Sequence, residues 1–166
     1  SYLLFIPMIL SLYVALRQTN EAIMIIGTVL FFVGIAVFFA TNTAFSMLAL
    51  SNQYAVAKTE EERLILLAAG QTMITLFNVN AFLVSYVIVS VSWITIAYVM
   101  LQSNLFNRTT AYAGILAGSA GIIAEILENT SRALLSVAIS FYFGAIVFLF
   151  IWVILSGQRI YKMSGN

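Results

Sequence analysis

Cysteine, histidine and aspartate are missing from this chain, and charge of either sign is scarce. Each absence removes some chemistry. Without cysteine there is no disulfide, and the redox compartment leaves no mark on the sequence. Without cysteine and histidine, the usual haem axial ligands, iron–sulfur thiolates and zinc N/S ligands are gone. A histidine-based proton shuttle or triad goes with them. No serine–base pair or glycine-rich phosphate loop takes their place. The expectation is a protein with no catalytic residue, no metal, no haem and no other cofactor, and so no enzyme. A net charge of +1 offers no basic patch that could release counterions from phosphate, so no nucleic-acid partner is expected.

What remains is apolar. Hydrophobic residues make up 63% of the 166 positions and charged residues 8%, with a mean hydropathy of +1.06. A soluble domain carries roughly 25% charged residues, so water is the wrong solvent for this surface and a bilayer is the right one. The fold class expected is all-α: a polytopic transmembrane helical bundle in the cell membrane, with lipids as its first partners. Helices satisfy every backbone N–H internally, which the hydrocarbon core demands.

Charges punctuate the chain into uncharged runs at 1–16, 22–57, 64–107, 109–124 and 133–158. With about 20 residues per crossing, the spans predicted are 1–16, 22–41, 81–101, 109–127 and 133–155. The first run would be only about 24 Å long as a helix against a core of about 30 Å. The chain also opens without Met or a basic leader. Both features predict that the first span begins upstream. The single proline, Pro7, is expected to kink or open it. Arg17, Arg108, Arg159 and Lys162 fall on one side, and Lys58, Arg63 and Arg132 on the other. This weak bias places the C-terminus in the cytoplasm.

The runs 22–57 and 64–107 exceed one crossing each, leaving 42–80 as a helical hairpin, projecting from the membrane or lying on its interface, within a single membrane domain of 1–166. Its centre, "KTEEER", holds Thr59-x-x-Glu62, a capping box that starts a helix in water. On a helical period Asn42, Ser46 and Gln53 share one stripe, and Gln71, Thr75 and Asn78 another. Folding the chain at Ala57–Lys58 sets Asn42 opposite position 73. These side chains are therefore expected to form a polar seam across the pair, and a candidate ligand site.

Two further patterns carry packing or charge. Gly114, Gly118 and Gly121, with Ala113 and Ala117, form one small-residue ladder, and Ser136, Ser140 and Gly144 a second. Small residues let helix backbones approach closely in lipid, so both ladders are expected at helix contacts, within one subunit or in a homo-oligomer or larger membrane complex. Glu125 lies about one turn inside the membrane edge, where an ionisable group is costly and functional by default. A break at Asn129–Ser131 would bring Arg132 towards it, making Glu125 and Arg132 the candidate ionisable site.

The stretches "ATNTAFSMLALSNQYAVAKTEEERLILLAAGQTMI", "TAYAGILAGSAGI" and "FLFIWVILSGQRIYKM" resemble a bacterial and archaeal family of integral membrane proteins catalogued only as a domain of unknown function. The resemblance runs along essentially the whole chain. It implies about six spans, one of them missing at the N-terminus, and transfers no catalytic residue, ligand or partner. The functional expectation is a structural or accessory, oligomer-forming membrane subunit. The alternatives are a small-molecule or ion conduit, and a lipid- or ligand-binding sensor.

Overall fold

The computed structural model describes residues 2–164, the side chains of Tyr2, Asn80, Arg132 and Ser164 excepted, and every regular element among them is helical. In chain order these are α1 (Phe5–Leu16), α2 (Glu21–Ala40), α3 (Ala44–Val56), α4 (Glu60–Leu76), a π-helical segment (Phe77–Val84), α5 (Ser85–Gln102), α6 (Arg108–Thr130) and α7 (Leu135–Ser164), with 3-10 turns at Tyr2–Leu4 and Arg132–Leu134.

Four helical stretches are long and apolar enough to cross a bilayer: Glu21–Val56, Glu60–Gln102, Arg108–Thr130 and Leu135–Met163. The expected first span is the exception. α1 has 12 residues, about 18 Å, which is too short to cross alone. Pro7 sits in its first turn, where the missing N–H costs no helical bond and no kink is required.

The ends of the elements follow local chemistry. Asn20 caps α2, its side chain accepting from the Ile23 N–H at 3.2 Å. Thr59 accepts from the Glu62 N–H at 3.2 Å while Glu62 reaches back to the Lys58 and Thr59 amides, the capping box expected. The three glutamates of that first turn also face the positive end of the helix dipole.

Packing runs α2 on α5, α5 on α6 and α6 on α7, while α1 touches α2, α5 and α7. Glycines set how close the backbones come. A Cβ at Gly34 would sit 2.5 Å from Val89, one at Gly118 2.7 Å from the Ser90 carbonyl oxygen, and one at Gly114 2.8 Å from both Ala97 and the Trp152 indole nitrogen. The core they enclose contains Ile9, Leu12, Phe31, Ile96, Met100, Trp93 and Trp152. Trp152 donates its indole N–H to the Met100 sulfur at 3.3 Å, and Ser92 donates to the Gly27 carbonyl at 2.7 Å.

The two ends of the bundle differ. At one, Asn20 donates to Gln102 and Arg159 donates to the Leu105 carbonyl at 2.6 Å. α1 lies along this half, and its Phe5 ring reaches Trp93 at a centroid distance of 6.1 Å. At the other end α2 and α5 continue as α3 and, through the π segment, α4. α3 packs on α4, and neither buries a single residue completely.

Candidate functional site

In the half of the bundle that α1 does not reach lies a cleft of about 800 Å³. Its walls are Tyr86 of α5, Glu125, Glu128 and Asn129 of α6, Leu135, Tyr142 and Ile146 of α7, and Asn78 and Phe82 of the π segment. Each position follows from the local fold. α6 ends at Thr130, and the chain turns back through Arg132–Leu134 into α7. The antiparallel register that sets Gly114 against Trp152 also sets the 125–128 turn of α6 against Tyr142. Gly121 keeps the third wall in place: a Cβ there would sit 2.7 Å from the Tyr86 ring. The π segment widens the backbone by a residue per turn, a feature frequent at functional sites. It is braced by Phe82, edge-on to Phe38 at 6.1 Å and to Phe77 at 5.1 Å.

The chemistry of the cleft is acidic and aromatic. Glu125 is only 4% exposed. The Tyr142 hydroxyl donates to the Glu128 carboxylate at 2.7 Å, and Glu125, three residues earlier on α6, lies on the same helix face. A phenol has one proton to give, and Glu128 receives it. Asn129 gives one of its two amide N–H groups to the Glu125 backbone carbonyl at 2.9 Å. Tyr86 meets Tyr142 edge-on at 6.5 Å and Trp93 at 6.2 Å, which links the cleft to the aromatic core. Among the described residues no group of three or more acidic, histidine or cysteine side chains could hold a metal.

The residues singled out from the sequence are distributed differently from expectation. Glu125 is at the heart of the cleft. The Arg132 side chain lies outside the described residues, so the pair with Glu125 is not seen. Asn78 belongs to this cleft and not to a hairpin seam. Asn42 accepts from the Ala44 N–H, Thr75 donates to the Gln71 carbonyl of its own helix, and Ser46 and Gln53 are exposed. The cross-pair bonds expected among them are absent from the described hydrogen bonds. The seam is largely apolar, built from Met47, Leu50, Leu66, Leu67 and Ile74 with Tyr54 and Gln71 at its edges. Among the described residues the one polar link across it is the Thr43 hydroxyl at 3.5 Å from the Met73 carbonyl, a residue along from the pairing expected.

The first small-residue ladder packs as expected, with Gly114, Gly118 and Gly121 each against a neighbouring helix. The second does not. Ser136 and Ser140 are exposed, Ser140 donates back to the Ser136 carbonyl, and Gly144 has open space before it. Sequence reading missed Glu128, Tyr142, Tyr86 and Phe82 as site residues. Counting back across the break near Ser131 sets Glu125 opposite Val137, five residues short of Tyr142. Nothing local marked Tyr86 or Phe82.

No protein-family model matches the chain, and no curated protein or solved structure is significantly similar to it.

Proposed function

We propose that this chain is a multi-pass protein of the cell membrane, its C-terminus cytoplasmic, that binds a small amphipathic molecule in the cleft between α5, α6 and α7. One observation carries the reading. A nearly fully buried carboxylate, Glu125, lines a cleft of about 800 Å³ in a helix apolar enough to cross a bilayer. An ionisable side chain in such a place is expensive to keep without a task, and the volume is that of a small-molecule site. The mixture of ring faces, branched aliphatics and carboxylates suits a molecule with both an apolar part and a polar head. The same reading assigns the chain to the uncharacterised membrane family that its residues 40–74 resemble.

The test is native mass spectrometry of the full-length protein released from detergent or nanodiscs. Wild-type protein is expected to carry a defined small-molecule adduct that an Ile146→Trp variant, with the cleft filled, does not carry. Identical spectra for the two folded proteins would overturn the reading.

An accessory, oligomer-forming subunit is favoured by one other observation, the open face at Ser140 and Gly144. It forms a shallow groove of about 390 Å³ with Leu116, Ile123, Phe141 and Phe148. Light scattering in detergent tests it, since Gly144→Trp would shift the mass only if copies meet there.

A further inference from the structure

We infer that the polar head received by the cleft is a protonated amine, an alkylammonium seated between Glu125, Glu128 and the aromatic rings. This rests on the reading of the cleft as a ligand site and adds the chemical class. The ionisable side chains on its described wall are Glu125, Glu128, Tyr86 and Tyr142, and no lysine or arginine is among them. The Tyr142 hydroxyl gives its single proton to Glu128. Ionised carboxylates only accept, each offering about four lone-pair sites, so the two on the described wall have room for further donors.

An ammonium group supplies three such donors together with a positive charge. Its three N–H bonds would meet Glu125, Glu128 and the side-chain oxygen of Asn78, with no proton taken from the protein. Charge-assisted bonds of this kind are roughly twice as strong as neutral ones. The rings add a second recognition element. Tyr86, Tyr142 and Phe82 line the same cleft, and a cation near an aromatic face is attracted by the ring quadrupole. Leu135 and Ile146 supply the apolar wall for the alkyl part. A neutral head could donate to the carboxylates but brings no charge, and an anion would be repelled.

The same chemistry arises from a water-borne amine or from an aminolipid headgroup, and one experiment separates the two. Full-length protein is placed in phosphatidylglycerol nanodiscs and titrated with hexylammonium, hexyl sulfate and hexanol. Tryptophan emission is followed, because Trp93 touches Tyr86. Hexylammonium is expected to give a saturable change at concentrations at least tenfold lower than the other two probes. Glu125→Gln and, independently, the exposed-site Glu128→Gln are each expected to weaken it at least tenfold. Replacing part of the lipid with phosphatidylethanolamine then assigns the source: a lowered apparent affinity marks the lipid headgroup as occupant, and an unchanged one marks a water-borne amine. Both results support the amine site.

Equal saturable binding of all three probes, unaffected by both substitutions, would overturn the amine while leaving the cleft a binding site. An absence of saturable change with any probe would overturn the amine, and with an adduct-free native spectrum it would overturn the cleft reading too.

Discussion

At Gly118 an added methyl group would stand 2.7 Å from the Ser90 carbonyl oxygen, a backbone atom that cannot move without shifting α5. At Gly144 the same methyl would meet nothing within 4 Å. Overpacking of a tight contact costs about 1–3 kcal/mol. Surface changes away from such contacts stay within about 0.5 kcal/mol, and alanine is the better helix former by about 1 kcal/mol. Gly118→Ala is therefore expected to lower the thermal midpoint in detergent, and Gly144→Ala to leave it unchanged or raise it slightly. Equal effects at both positions would contradict the helix contacts described. The sequence placed both glycines in small-residue ladders and could not separate them. A ladder records only that a close approach is sterically permitted, and which permitted faces are used depends on where the other helices lie.

Among the elements, the α3–α4 hairpin was the most legible. The Thr59–Glu62 cap and the Lys58–Thr59 turn are local signals that place the fold-back but not its register: folding at Ala57–Lys58 sets Leu50 opposite Ile65, whereas Leu50 packs on Gly70, five residues further along. Which faces meet was not legible. In a chain this apolar, polar residues need not face inward, because a serine or threonine can satisfy itself on its own helix, as Thr72 and Thr75 do. The π segment was legible only in position: laying 60–79 on the interface requires a bend at Asn78–Asn80, but no proline or glycine in Phe77–Val84 marks its form. The cleft was half legible: Glu125 stood out as a charge inside an apolar run, whereas its walls come from three other elements far apart in sequence. The apolar seam makes a direct prediction. Leu50 lies 3.4 Å from where a Gly70 Cβ would be, so cysteines at 50 and 70 are expected to cross-link rapidly under mild oxidation. Cysteines at 45 and 64, both on outward faces (87% and 65% exposed), are not. The reverse pattern would mean that the two helices meet through other faces. Because the chain has no cysteine of its own, each introduced pair is read without background.

For the whole molecule, the open matter is how it sits in its solvent. The rod from Glu21 to Val56 has 36 residues and the rod from Glu60 to Gln102 has 43, about 54 and 64 Å as helices, against a hydrocarbon core of about 30 Å. Roughly half of each lies beyond a perpendicular crossing. That outer half is not built for water. Phe45, Leu48, Val56, Leu64 and Ile65 are all largely exposed on it, and burying such side chains is worth about 1.5–3 kcal/mol each. Left in water, the five would forgo about 7–15 kcal/mol, comparable to the whole stability of a typical domain. Both rods also lose regular α-helix at one level. Thr41 and Thr43 interrupt one, and the π segment replaces the other opposite them, where Phe38 meets Phe82. Two irregularities side by side would let the hairpin lean onto a membrane surface, with the charged residues of its Glu60–Arg63 tip left in water. Nitroxides at Leu48 and Leu64 are therefore expected to relax through lipid-soluble oxygen, and one at Glu61 through an aqueous nickel chelate. On the same molecules, an impermeant maleimide should reach Thr19→Cys and Asn104→Cys from one side of the membrane and Glu61→Cys from the other, because the Asn20–Gln102 bond holds the first two loops together at one end. Chelate-dominated relaxation at all three nitroxide positions would stand the hairpin upright in water, and its apolar faces would then have to be covered by protein.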